Sequence, residues 1–109
     1  VRLVPGATSW AAISDMREKA DITPIGVLDR LRHDDIAYGY TRGGTHEIGV
    51  LAQRLQRSFP EVIVPMDYQG EERLGVYKDQ VGILALQGVK ELLERVKTLE
   101  AQHEQNRNR

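Results

Sequence analysis

The chain has 109 residues, the length of one domain, and its 40% hydrophobic content includes only one Trp, one Phe and four Tyr, so we expect one modest core. Fifteen basic and sixteen acidic residues give a net charge of −1, without the basic excess of a nucleic-acid-binding surface. The absence of cysteine excludes a disulfide framework and a thiolate metal site, and no apolar run reaches the roughly 18 residues of a membrane span. We therefore expect no nucleic acid, membrane, metal or cofactor.

The first third of the chain predicts extended structure followed by a short helix. Residues 1–10 read as a strand, a Pro5-Gly6 turn and a second extended piece. Thr23-Pro24 supplies a capping hydroxyl and a proline suited to the first helical position. Apolar residues then recur at a spacing of three, which predicts an amphipathic helix from about 24 to 33.

The middle of the chain predicts two strand-containing units. Ile36, Tyr38 and Tyr40 alternate as in a strand, and a Gly-rich loop follows at 42–45. Apolar residues at helical spacing from 48 to 59 end at Pro60, with a strand-to-helix transition expected near Ala52. Two apolar runs at 62–64 and 74–77 then flank a polar turn around Gly70 and predict a hairpin.

The last third predicts one long helix over 79–105. Its apolar seam has steps of 4, 3, 4, 3 and 4, which is a heptad pattern formed by Ala85, Val89, Leu92, Val96, Leu99 and His103. Such a helix extends roughly 40 Å, too far for a small domain to cover, so we expect part of it to pack on another chain. The alternative is an ordinary amphipathic helix packed on its own domain. Gly82 and Gly88 each weaken the helix by up to about 1 kcal/mol.

A serine and a lysine lie five positions apart in the run Ser14-Asp15-Met16-Arg17-Glu18-Lys19. A neutral lysine can act as the base that activates a serine hydroxyl, although such a pair is also compatible with solvated turn residues. Neither a regular helix nor a regular strand brings two side chains together at this spacing. Either the chain turns between Ser14 and Lys19, or the lysine comes from a neighbouring subunit.

Five segments occur in an order and spacing that resemble one family. The run 14–22 resembles its S-D-x-R-x-K-x-x-I opening, and 46–61 resembles a G-hydrophobic-hydrophobic-A-Q run that ends in F-P-E. The other three are Thr8-Ser9-Trp10, the helix Ile25 to Leu31, and Leu74 to Tyr77 leading into Val89-Lys90-Glu91-Leu92. Together, over about residues 8–101, they resemble the endosialidase-type intramolecular chaperone domain, also called the peptidase S74 domain.

This resemblance implies a C-terminal intramolecular chaperone that forms a homotrimer and assists the folding of a preceding β-rich fibre or spike. Such domains end phage tail spikes and fibres and some other surface proteins. The implied location is therefore a virion tail fibre or spike precursor, folded in the host cytoplasm and released after cleavage, or the C-terminus of a surface protein.

The resemblance also implies an autoproteolytic serine endopeptidase that acts on its own chain through a Ser-Lys dyad. Carried over to this sequence, Ile13–Ser14 is the scissile bond, Ser14 is the nucleophile and Lys19 is the general base. Asp15 and Arg17 match positions that orient the site. Two further candidate residues are Gln53, which matches the family's glutamine and would form a hydrogen bond near the cleavage site, and the loop residue His46.

The expected fold class is α+β, a small β-rich globular part with short helices followed by a long C-terminal helix in a trimeric coiled coil. Residues 1–13 would end the upstream fibre, 14–78 would form the chaperone domain, 79–105 the coiled coil and 106–109 a disordered tail. A non-cleaving trimerisation cap is the alternative function, since the chain contains Ile13–Ser14 as one unbroken link. A peptidase acting on other proteins is less consistent with the chain, which offers no substrate loop beyond 41–46.

Overall fold

The computed structural model describes residues 11–31 and 35–108, which form an α+β fold of small β-hairpins and a long C-terminal helix. The strand expected over 1–10 and the Thr8-Ser9-Trp10 segment lie outside the described residues. The elements in chain order are the 3₁₀ helices η1 (Met16–Glu18) and η2 (Leu28–Arg30), strands β1 (Tyr38–Arg42) and β2 (Thr45–Gly49), helix α1 (Ala52–Leu55), 3₁₀ helix η3 (Pro60–Val62), strands β3 (Ile63–Tyr68) and β4 (Glu71–Val76), and helix α2 (Lys78–Arg107).

The strands form two separate antiparallel hairpins. β1 pairs with β2 through the register Tyr38↔Gly49, and β3 pairs with β4 through Ile63↔Val76. In the second hairpin, the turn residues Gln69 and Gly70 have φ values of 54° and 82°. Positive φ at both central residues is the geometry that matches the right-handed twist of paired strands. The hairpin predicted around Gly70 is confirmed.

The helix predicted from about 24 to 33 is wrong within the described residues. Only η2 is helical there, as one 3₁₀ turn, and residues 32–34 lie outside the description. Gly26 disfavours helix by about 1 kcal/mol, and a helix of this length is marginal without tertiary support. The tertiary contacts instead favour the turn, because the backbone N–H groups of Val27 and Leu28 donate to a carboxylate on α2.

The strand-to-helix transition expected near Ala52 is confirmed, but α1 ends at Leu55 rather than continuing to Phe59. Phe59 has φ −136° and ψ 72°, outside the helical region. The proline ring disfavours that region for the residue before it, so Pro60 accounts for the conformation of Phe59, while residues 56–58 form turns between α1 and Phe59. Phe59 nevertheless enters the small core, which consists of Val27, Leu55, Phe59 and Val62.

The helix α2 spans 30 residues, about 45 Å, and has two different faces. One face packs on the globular part, where Val81 and Leu84 contact the core and Gly88 is buried beneath Val27. The predicted heptad seam lies on the adjacent face and is exposed throughout. The alternative, a helix packed on its own domain, is therefore confirmed for one stripe of α2. Packing of the exposed seam on another chain stays a prediction.

The C-terminal end of α2 corrects the predicted limit of the helix. Helical structure continues to Arg107, and Asn108 caps it through hydrogen bonds to the carbonyls of Glu104 and Gln105, so 106–108 are not the disordered tail that was expected. Throughout residues 11–31 and 35–108, no helix is both long and apolar enough to cross a membrane.

Candidate functional site

The turn η1 follows directly from the sequence Asp15-Met16-Arg17-Glu18. Asp15 is its N-cap, with extended backbone, and its Oδ1 accepts a hydrogen bond from the backbone N–H of Arg17 at 2.9 Å. Asp is among the preferred N-cap residues because a short carboxylate satisfies an otherwise unpaired N–H. At the other end, the N–H of Lys19 donates to the Met16 carbonyl and Lys19 returns to extended backbone.

This single turn brings Ser14 and Lys19 together. The Nζ of Lys19 donates a hydrogen bond to Ser14 Oγ at 2.7 Å, across five positions of sequence. Of the two routes that the spacing allowed, a turn within one chain is therefore sufficient to form this contact. Both side chains are exposed, as is Ile13 on the other side of the expected scissile bond. The contact has the geometry of a nucleophile and its base.

An ion pair supports the same turn from its side. The guanidinium of Arg17 donates to the carboxylate of Asp15, from Nε to Oδ1 at 3.0 Å and to Oδ2 at 3.1 Å, and from Nη2 to Oδ2 at 2.6 Å. These hydrogen bonds, together with that from the Arg17 backbone, lower the pKa of Asp15, and they raise the pKa of Arg17. Asp15 is thus held as a carboxylate, the form that accepts all these bonds. Asp15 and Arg17 thus stabilise the backbone turn between Ser14 and Lys19 through their hydrogen bonds to each other.

The structure does not bring Gln53 or His46 into this cluster. Gln53 lies exposed in the first turn of α1, and His46 lies exposed on β2 opposite Thr41. Within the described part of the chain, neither side chain forms a hydrogen bond with Ser14 or Lys19. Their expected roles at the cleavage site remain predictions.

Sequence reasoning missed a second polar cluster, which joins η2 to α2. The carboxylate of Glu91 accepts from the N–H of Val27 at 2.9 Å and from that of Leu28 at 3.1 Å. Next to it, Arg95 Nη2 contacts Asp29 Oδ1 at 2.9 Å. The hydrogen bond from Leu28 is the main reason why the pKa of Glu91 is lowered. The heptad pattern holds a signal for Glu91, because this residue falls outside the apolar seam, on the stripe of α2 that faces the globular part.

A third contact joins η2 to η3. Arg30 Nη2 forms a 2.5 Å ion pair with Glu61, its Nε donates to the Ser58 carbonyl at 3.0 Å, and its guanidinium stacks over the Phe59 ring. The hydrogen bond from Arg30 lowers the pKa of Glu61. The contacts of Glu91 and Arg95 on one side, and those of Arg30 on the other, attach η2 to the core. They thereby also hold the segment that follows the Ser-Lys turn.

Comparison with known proteins adds one finding to this geometry. Residues 14–64 match the family model Peptidase_S74, described as chaperone of endosialidase. The match begins at the serine of the Ser-Lys contact and ends within β3. Searches of curated proteins and of solved structures gave no match. The resemblance drawn from the sequence motifs is confirmed over residues 14–64, which are similar to the chaperone of endosialidase.

Proposed function

We propose that this chain is a C-terminal intramolecular chaperone that trimerises, drives the folding of a preceding β-rich fibre or spike, and then releases itself by cleavage between Ile13 and Ser14. The parent protein would be a virion tail fibre or spike, in keeping with the family's association with such proteins. The observation that carries the proposal is the 2.7 Å contact between Lys19 Nζ and Ser14 Oγ inside the family segment.

The contact fits a mechanism in which the serine attacks the carbonyl of its own preceding residue. Lys19, in its neutral form, takes the hydroxyl proton while Ser14 Oγ bonds to the Ile13 carbonyl carbon. The Ile13–Ser14 amide bond breaks, its nitrogen takes a proton, and Ile13 is left as an ester on Ser14 Oγ. Water then hydrolyses the ester, which releases an Ile13 carboxylate and a chain that begins at Ser14.

The exposure of the contact supports cleavage that waits for assembly. An ammonium group cannot accept the serine proton, and removal of water from around an amine favours its neutral form. In the single chain both Ser14 and Lys19 are exposed, so this desolvation has to come from the upstream fibre or from a neighbouring copy. The turn at 15–19 places Lys19 beside Ser14, whereas conversion of Lys19 to its neutral form depends on burial by the fibre or by a neighbouring copy.

The outer face of α2 supports the trimer. Its seam exposes Val89, Leu92, Val96 and Leu99 at heptad spacing, and Leu86 and Leu93 widen this face. Burial of a Leu or Val side chain contributes about 1.5–3 kcal/mol, so an assembled seam gains substantially over an isolated helix. Within residues 11–31 and 35–108 the buried core is small, formed by Val27, Leu55, Phe59 and Val62, so assembly would add substantially to the stability of the globular part.

The test is the intact mass of a parent chain that extends upstream of residue 1, purified after expression. The wild type should yield a product that begins at Ser14, while Ser14→Ala and Lys19→Ala should remain whole but assembled. Lys19→Arg is the sharper variant, because a guanidinium retains the positive charge but does not act as a base, so it should also remain whole. Lys97→Ala removes an exposed lysine from α2 and serves as the matched control. Cleavage of any dyad variant at the wild-type rate would exclude this assignment.

The exposed dyad also suits a second function, a trimerisation cap that never cuts. In that case the wild-type parent would assemble and keep an intact Ile13–Ser14 bond in the complete fibre. The same mass measurement therefore separates the two functions, provided that the oligomeric state is recorded on the same sample.

A further inference from the structure

An apolar groove of about 270 Å³ runs between α2 and the globular part. Val27, Leu28 and Leu31 line one wall, and Gly88, Val89 and Leu92 line the other. Val89 and Leu92 also belong to the exposed heptad seam, so the groove opens directly onto the face by which α2 would associate. Whatever covers the seam is therefore placed beside the groove.

Two leucines on α2 are left largely exposed in the single chain. In the register set by the seam, Val89 and Val96 occupy a positions, Leu92 and Leu99 occupy d positions, and Leu86 and Leu93 fall at e positions. Leu86 is 72% exposed and Leu93 is 50% exposed. A two-stranded seam of a and d residues does not need apolar e positions, whereas a helix that packs on more than one surface does.

Heptad geometry identifies what these leucines would meet in a second copy. In a parallel, in-register coiled coil, the g residue of one heptad faces the e residue of the neighbour's next heptad. Val81 then faces Leu86 of the second copy, and Gly88 faces Leu93 of the second copy. Both Val81 and Gly88 line the groove.

The next pair along the helix adds charge complementarity. Arg95, at the following g position, faces Glu100 of the second copy, which gives an attractive pair of opposite charges. Arg95 keeps more than half of its side chain exposed while it contacts Asp29, so it is accessible to a second carboxylate. Three successive pairs thus match in a parallel arrangement, two apolar and one ionic.

We propose that the groove receives Leu86 and Leu93 of a second copy of this chain, with the two α2 helices parallel and in register. This inference rests on the proposed self-association and specifies its interface: each helix contacts its neighbour's helix with the a and d residues and its neighbour's globular part with the e residues. Assembly of α2 thereby also buries the wall formed by Val27, Leu28 and Leu31.

The test uses the photoreactive residue p-benzoylphenylalanine in place of Leu93, in a mixture of unlabelled and ¹⁵N-labelled 109-residue chains. Irradiation should link position 93 to a peptide that contains residues 27–31, and the mixed isotope masses should show that the link joins two copies. The same photoreactive residue in place of Lys97, an exposed b position, is the control and should give no link to 27–31. A link from position 93 only to segments outside both walls of the groove, that is outside 27–31 and 81–92 of the second copy, would overturn the proposal.

A second measurement covers the case in which the bulky residue disturbs the fold. Leu93→Asp should weaken self-association by at least about tenfold in sedimentation equilibrium, because a carboxylate would enter an apolar groove, while Lys97→Asp should change it little. Circular dichroism checks that both variants keep their helix. If the wild type associates and Leu93→Asp associates equally well, the groove contact is refuted but the coiled coil is not. A wild type that stays monomeric at all concentrations would refute both.

Discussion

The carboxylate of Glu91 accepts a hydrogen bond from the backbone N–H of Val27, 64 positions earlier in the chain, at 2.9 Å. The same carboxylate accepts from Leu28, and Gln87 donates to it from one turn earlier on α2. A long helix is thus attached to η2 by an anion that caps backbone N–H groups. This attachment couples the helix that would assemble to the segment that leads back to the Ser-Lys turn.

We predict that Glu91 makes stability depend on acid pH. Because the hydrogen bonds lower the pKa of Glu91 in the folded chain, its contribution is fully present above the ordinary glutamate pKa of about 4.3 and is lost as the pH falls through the lowered value. Urea unfolding at several pH values should show wild type more stable than Glu91→Gln near neutrality. The difference should shrink in acid, because protonation of Glu91 removes the charge that the variant lacks at every pH. The other carboxylates are the same in both proteins, so their protonation cancels in the comparison. A difference that is independent of pH would contradict the role of the charge.

We predict that Asp15→Ala slows cleavage of the parent chain by about fivefold, the factor that corresponds to the roughly 1 kcal/mol lost with a typical cap. Without the cap, the backbone around Met16 no longer favours the turn that places Lys19 beside Ser14. Asp15→Asn should recover most of the rate, since asparagine caps equally well. Both rates are measured from the fraction cut over time by mass spectrometry. Equal loss in the two variants would instead point to the charge and to its pair with Arg17.

We predict that the two glycines of α2 differ in how much stability each gains when it is changed to alanine. Around Gly82 there is nothing within 4 Å of an added Cβ, so Gly82→Ala should stabilise the helix by about 1 kcal/mol. An added Cβ at Gly88 would lie 3.3 Å from Val27 Cγ1, so Gly88→Ala should gain less. Gly88→Leu should destabilise, since it displaces Val27 from the core. Thermal unfolding of the chain measures all three, and a stabilising Gly88→Leu would show that this contact is dispensable.

We predict that Leu99→Asp abolishes self-association without loss of the globular fold. Leu99 is 63% exposed and lies beyond the part of α2 that packs on the domain. Burial of a leucine contributes about 1.5–3 kcal/mol per chain, and a carboxylate in its place adds a desolvation cost. Ala101→Asp, on the exposed outer side of the helix, is the matched control. Light scattering after size exclusion should find the control associated, and an associated Leu99→Asp would exclude the seam as the interface.

Local sequence signals predicted those parts of the fold that local contacts determine. The turn at Gly70, the transition at Ala52 and the heptad seam of α2 were each readable because turn chemistry and helical period act over a few residues. The Ser-Lys contact also depends on residues close in sequence, since Asp15 caps the turn Met16–Glu18 that separates Ser14 from Lys19.

The parts that sequence reasoning missed depend on contacts between distant segments. Thr23-Pro24 reads as a helix entry, but the N–H groups of Val27 and Leu28 bind Glu91 instead. Gly88 reads as a weak point in α2, but it provides the space in which Val27 packs. A window of neighbouring residues contains neither partner, so propensity alone gives the wrong answer at both places.

Under the proposed function, the exposed seam of α2 would make the strength of the assembly change at the moment of cleavage. Three chains tethered through a common fibre would have an effective concentration of one seam for another set by the length of the tether, not by how much protein the cell contains. After cleavage of the Ile13–Ser14 bond the tether would be gone, and association would obey ordinary dilution. Freed domains would then separate into single chains, and the finished fibre would be left without its assembly factor.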